Sequence, residues 1–273
     1  MTDRHTFLVA VLFYGISLIY SGFLFRRGFR EDNRINYCVL LGGFALHTLA
    51  LWARGQLTGQ CPSKNLYEAT VFSSWVVAAV CLAVSLWPRL RFMTVFASPI
   101  LFAMGVFALM PSLDVPPGHV EPKDLVATSL HAALVLLSYG AFGFATVVSM
   151  MFLVQEHDLK LRKARALFAI LPPIQRLETI ITELTVVGFF LLTVGLAVGA
   201  IGIQPAPGAQ FKGDLKIIWS VFVWVVYLAL LILHWRFAQR GRRFAWGVAG
   251  TFIFVMLTFW GANLASRIHN PNP

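Results

Sequence analysis

Apolar residues run along this chain in long blocks, interrupted by short polar or charged segments. A helix rises about 1.5 Å per residue, so roughly 20 apolar residues cross the ~30 Å hydrocarbon core of a bilayer. About eight blocks reach that length: 7–25, 36–54, 70–87, 92–111, 125–154, 179–203, 216–235 and 244–262. The fifth keeps its helical pattern as far as Val154, enough to tilt or to project from the membrane. Nothing repeats at a fixed period, and no Pro, Gly or Ser linker separates domains. The pattern predicts one all-α domain over 1–273, a polytopic membrane helical bundle of about eight transmembrane helices.

Composition agrees. Hydrophobic residues make up 58% of the chain, charged residues 12%, and the mean hydropathy is +0.73, whereas a soluble domain carries about 25% charged residues. The formal charge of +10 would raise the question of nucleic acid in a soluble protein. Its distribution excludes that partner. Arg26, Arg27, Arg30 and Arg34 follow the first block, and Arg89 and Arg91 the third. Lys160, Arg162, Lys163, Arg165 and Arg176 follow the fifth, and Arg236, Arg240, Arg242 and Arg243 the seventh. Basic residues in alternate loops mark the inner side, so both termini are expected outside, with membrane lipid as the partner of the basic loops. The first block has its arginines after it and no small-residue cleavage site, and reads as a retained span. The segment 156–180 begins charged, turns apolar and breaks at Pro172 and Pro173, which predicts an amphipathic helix on the inner leaflet ended by the prolines.

Chemistry-bearing residues lie in stripes. Asn36, Gly43, His47 and Arg54 share one face of the second span, and Ser220, Tyr227 and His234 recur every seven residues on the seventh, with Trp224 beside them. On the fifth, Ser138 and Ser149 fall on the face of His131. Ionisable residues at membrane depth are costly and face a partner or a cavity, so these stripes predict a shared polar interior. Neutral imidazole suits haem iron; the same residues can equally be hydrogen-bonded structural histidines. His131 opens the fifth span and His269 follows the eighth, both at the outer face. Either they are unrelated surface residues or they face one iron. Gly188, Gly195 and Gly199 on the sixth span form a flat packing face. Cys38, Cys61 and Cys81 form no Cys-x-x-Cys, which leaves neither a structural zinc site nor a covalent haem-attachment motif.

Four stretches, in order, resemble the cytochrome c assembly membrane proteins of CcsA/ResC type and their HemX/YpjD-like branch. "HTLALWARGQLTGQCPSKNLYEATVFSSW" resembles a histidine followed by Pro-x-x-Asn-x-Tyr-Glu and Phe-x-x-Trp, here His47, Pro62, Asn65, Tyr67, Glu68, Phe72 and Trp75. "SLHAALVLLSYGAF" is similar to the segment that places His131, Ser138 and Tyr139. "LPPIQRLETIITELTVVGFFLLTVGLAVGAI" resembles the Leu-Glu start and glycine-rich helix, and the final "GANLASRIHN" the tail ending in a histidine, His269. The tryptophan-rich loop of the full synthases is missing. Only Asp214, Lys216 and Trp219 remain of its trailing end, and His234 lies ten residues after Trp224, as in the HemX/YpjD-like branch.

The resemblance implies a multi-pass protein of the inner (cytoplasmic) membrane in cytochrome c maturation. It would bind or present haem b at the outer face, at most as a subunit of a haem lyase or synthase system. A partner membrane subunit and apocytochrome c are the implied partners. The implied ligands are His131 and His269 to the iron of an outer haem and His47 and His234 within the bundle, supported by Tyr67, Glu68, Asp214 and Trp219. Two other readings stay open: a HemX-like scaffold or regulator of haem biosynthesis, and a small-solute transporter built around the polar stripes. His47, Tyr67 and Glu68 are further expected to form one hydrogen-bonded cluster under the outer loop.

Overall fold

The computed structural model describes residues 3–27, 33–58, 65–87, 90–110, 125–161, 172–202, 215–237 and 240–264. Within them the chain forms helices and no strand: α1 (Asp3–Arg26), α2 (Arg34–Thr58), α3 (Leu66–Val84), α4 (Met93–Ala108), α5 (Leu125–Lys160), α6 (Ile174–Gly202), α7 (Leu215–Arg236) and α8 (Arg242–Leu264). Each corresponds to one apolar block. Six are long and apolar enough to cross a membrane, and α4, with 16 residues, is a shorter apolar helix of about 24 Å. The protein is a polytopic helical bundle. Its exposed Leu12, Ile16, Ile19, Phe190, Ile201, Ile218 and Leu257 are what a lipid-facing surface requires.

Local sequence explains where several helices begin and how α4 accommodates a proline. Asn65 caps α3 by accepting from the Glu68 backbone N–H at 2.8 Å. Pro99 lies inside α4 and can give no N–H to the carbonyl of Val95. The Ser98 hydroxyl donates to that carbonyl at 3.1 Å instead, a repair by a neighbouring side chain that allows proline within a membrane helix. The Pro172–Pro173 pair immediately precedes α6, whose first turn is closed by Arg176 N–H donating to the Pro173 carbonyl at 2.8 Å. The amphipathic helix expected before the prolines falls largely at 162–171, outside the described residues. α5 runs on past Val154 to Lys160, 36 residues in all, or about 54 Å, far more than the hydrocarbon thickness.

Two groups of helices pack side by side. In the first, a buried polar node links α1, α2 and α4. Asn36 accepts from Ser17 at 2.9 Å and donates to Ser21 at 3.2 Å and Thr94 at 3.1 Å, and Ser21 meets Ser98 at 2.8 Å. The Asn36 amide therefore has partners for its oxygen and its nitrogen in a region without water, which favours this helix arrangement over its alternatives. The second group, α5 to α8, is joined to the first where α5 presents Gly140 against Val76 and Gly143 against Val77 of α3. A methyl group at Gly140 would stand 2.4 Å from a Val76 methyl, so the two groups meet backbone to side chain.

The basic loops predict the orientation of this bundle. A reporter fused after Arg243 should report the inner side and one fused at Pro273 the outer; the reverse result would overturn this orientation.

Candidate functional site

At the end where α1 and α3 begin and α2 ends, charged residues close the first group of helices. Arg54 donates from Nε to Glu68 at 2.8 Å and from a terminal nitrogen to Asp3 at 3.2 Å. Glu68 and Asp3 are buried and Arg54 nearly so. Tyr67 lies under both Arg54 and Arg4, their guanidinium carbons 5.5 and 5.7 Å from its ring centre. Arg4 also donates to the Leu109 carbonyl at 2.7 Å, which draws in the end of α4. The hairpin motif thus resolves into a helix cap (Asn65), a cation-binding ring (Tyr67) and an anion (Glu68).

His47 lies beneath this cap, fully buried, and both its ring nitrogens are used. Nε2 faces the Val71 carbonyl at 3.0 Å and must donate to it, so Nδ1 accepts from the Tyr14 hydroxyl at 2.9 Å. The hydrogen-bonded cluster with Tyr67 and Glu68 expected from the sequence is not formed: both ring nitrogens are taken by Tyr14 and the Val71 carbonyl. The Phe7 ring, 4.9 Å from the His47 ring and 5.9 Å from that of Tyr67, stands in contact with both. Tyr14 escaped the sequence reading, although Phe7, Tyr14 and Ser21 recur every seven residues on one face of α1 and are all buried. Ligation of a metal by His47 would first have to break its bond to Val71 or to Tyr14. His47→Ala should leave the Tyr14 hydroxyl unsatisfied, a cost of roughly 1–3 kcal/mol, and lower the melting temperature in detergent even without haem. A melting temperature equal to wild type would show that the hydrogen bonds contribute nothing.

His131, six residues into α5, is bonded differently. Its Nδ1 lies 2.7 Å from the Gly195 carbonyl of α6 and must be the donor, since a carbonyl only accepts. In a neutral imidazole this leaves the lone pair on Nε2. The ring is seated on the glycine face of α6: a methyl group at Gly199 would come within 2.5 Å of Nδ1. Gly188 likewise meets Phe142, and Gly195 meets Leu134 and Val135, so the packing role expected of these glycines is borne out. Ser138 and Ser149 spend their hydroxyls on carbonyls of their own helix, those of Val135 at 2.7 Å and Ala145 at 2.8 Å.

His234, near the end of α7, is buried against Phe244 of α8, ring centres 4.4 Å apart, and its Nε2 is 3.4 Å from the Thr182 hydroxyl of α6. At the same end Glu178 accepts from the Gly241 backbone N–H at 2.9 Å. Gly241 has φ +65°, a left-handed conformation that glycine adopts without strain, and Glu178 thereby ties α6 to the α7–α8 turn. His47 bonds to α1 and α3, whereas His234 packs against α6 and α8, so the two histidines are housed in different groups of helices. Trp224 donates to Thr193 at 2.9 Å. Among the described residues, the buried Tyr227 hydroxyl, against Phe142, and the buried Trp219 indole N–H have no hydrogen-bond partner. His269 and Asp214 lie outside the described residues. Among the described residues no three His, Cys, Asp or Glu side chains gather into a metal-ion site.

The sequence matches the family described as Cytochrome C assembly protein over residues 63–269. The chain belongs to that family. Among its relatives it is 27% identical over 263 residues to Protein HemX of Brevibacillus brevis, with 94% of this chain and 95% of that protein aligned. It is 24% identical to Protein HemX of Bacillus subtilis, with 95% and 94% aligned. Cytochrome c biogenesis protein CcsA of Gloeobacter violaceus is 28% identical over 276 residues, covering 81% of each chain. Membership connects this multi-pass membrane protein with cytochrome c maturation and therefore with haem.

Several positions of the family resemblance now have a physical role. Trp75 donates to Thr48 at 2.9 Å and stacks on Phe44, ring centres 5.5 Å apart, which pins α3 to α2. Glu178, at the start of the glycine helix, holds the turn at Gly241. Haem iron requires a nitrogen lone pair from an axial histidine. The donor chemistry of His131 fits that requirement, because its other nitrogen is tied to a backbone carbonyl, the arrangement usual for metal-bound histidine.

Proposed function

We propose that this protein holds or presents haem b at the outer face of the cytoplasmic membrane during cytochrome c maturation, with His131 and His269 as the axial pair. The observation that carries this reading is the state of His131: Nδ1–H donated to the Gly195 carbonyl and Nε2 left as the basic nitrogen. Haem would supply the iron and the vinyl groups that a cytochrome eventually bonds. The protein's own residues would orient it and shield it from water. Trp219, whose buried indole N–H has no partner among the described residues, is the remaining aromatic of the tryptophan-rich loop and would be a donor to a carboxylate. A partner membrane subunit would complete the platform that the shortened loop leaves unbuilt, and apocytochrome c would be the acceptor.

A second reading is a HemX-like scaffold that acts through protein contacts. It is favoured by the nearly full-length alignment with Protein HemX of Brevibacillus brevis and by a His47 whose two nitrogens serve the fold. Purification from haem-replete membranes separates the two. A Soret band that survives extensive washing is expected of a haem handler. Its absence, together with no spectral change on haemin titration, would replace the first reading with the second.

A further inference from the structure

The glycine face of α6 does more at one point than let two helices approach. Gly195 and Gly199 are one turn apart, and both meet the same imidazole. Gly195 contributes its carbonyl, 2.7 Å from His131 Nδ1. Gly199 contributes the space the ring occupies, since a Cβ there would lie 2.5 Å from Nδ1, 2.8 Å from Cε1 and 3.2 Å from Cγ. A side chain at 199 would therefore displace the ring from the carbonyl or push α5 away from α6.

We propose that Gly195 and Gly199 are positioning residues for His131, fixing both its tautomer and its ring plane so that Nε2 is presented as an iron ligand. This deepens the haem reading above and rests on it. Three physical steps lead to it. Donation from Nδ1 to a carbonyl selects the tautomer whose lone pair is on Nε2. The same bond leaves the imidazole richer in electrons, which makes it a better ligand to ferric iron. Close apposition of the bare Gly199 backbone holds the ring in one orientation, as a flexible surface histidine would not be held. Interactions of this kind are worth about 10- to 100-fold in metal affinity.

The test compares three glycine variants in the full-length protein in lipid nanodiscs. Gly199→Ala intrudes on His131. Gly188→Ala intrudes to a similar depth on the same interface, 2.6 Å from a Phe142 ring atom, but about three turns away, and Gly250→Ala meets nothing within 4 Å. Haemin affinity and the haem midpoint potential are measured for each, and the His131 tautomer is read from 15N-histidine spectra without haem. The expected result is an Nδ1–H tautomer for His131 in the wild type. Gly199→Ala should lose about 10- to 100-fold in haemin affinity and raise the midpoint potential, with the other two variants within about twofold of wild type. An Nε2–H tautomer in the wild type, unchanged haem properties in Gly199→Ala, or an equal loss in Gly188→Ala would each overturn the proposal. If Gly199→Ala fails to fold, the wild-type tautomer decides. Failure of the underlying reading looks different: His131→Ala would keep the wild-type haem spectrum even though the tautomer is Nδ1–H.

Discussion

Arg54→Leu is expected to destabilise the protein by about 3–5 kcal/mol, the cost of removing one partner from a buried ion pair. Arg54 bridges Glu68 at 2.8 Å and Asp3 at 3.2 Å, and both carboxylates are buried. Without the guanidinium, two anions would remain together in a poorly hydrated end of the bundle, and Tyr67 would lose one of its two cations. The loss should appear as a lower melting temperature in detergent and as proteolysis near residue 65, where α3 starts. Glu68→Gln in the Arg54→Leu background should recover part of it, because one stranded charge is removed. Arg26→Leu, at an exposed position, should change stability by no more than about 0.5 kcal/mol. If Arg54→Leu behaves like Arg26→Leu, the cap at this end of the first group is not a structural element.

The second large effect is on haem itself. His131→Ala should convert a low-spin, six-coordinate haem spectrum into a five-coordinate or empty one. Its affinity loss should exceed the roughly 10- to 100-fold that follows removal of a partner behind the ligand. The variant should otherwise fold normally, since it removes one bond to Gly195 and opens space beside Gly199 instead of creating a clash. Added imidazole should restore the six-coordinate spectrum. His157→Ala, exposed at the other end of the same helix, should leave the spectrum unaltered. His47→Ala should lower stability, and any haem it still binds should retain the wild-type spectrum. That crossed pattern distinguishes a ligand from a structural histidine. Retention of the wild-type spectrum by His131→Ala would remove the outer site.

His47 and His131 show why helical spacing marks inward-facing residues without naming what they bond. Seven-residue spacing places Asn36, Gly43, His47 and Arg54 on one face of α2, and all four do turn inward to partners. Spacing along α2 carries no information about what lies across the gap. Tyr14 and the Val71 carbonyl, which take the two nitrogens of His47, come from segments 33 residues before it and 24 after it. The Gly195 carbonyl that fixes His131 is 64 residues away in the chain, and it is a backbone group, which no side-chain motif advertises. For the same reason the sequence marks Gly195 and Gly199 as a packing face and does not show that one imidazole meets both.

The sequence by itself determined where apolar helices form among the described residues, the membrane class and the family, because each depends on local quantities. The length of an apolar run is set by the thickness of hydrocarbon it must cross, and motif order is linear in the chain. Only the tertiary structure decided what His47 and His131 bond through their ring nitrogens, that Arg54 joins Asp3 to Glu68, and that His47 and His234 are housed in different groups of helices. Hydrogen bonds within a bilayer form wherever two helices bring a donor and an acceptor within about 3 Å, and helix pairing here is set by where glycine removes a side chain and where a polar group must find a partner out of reach of water.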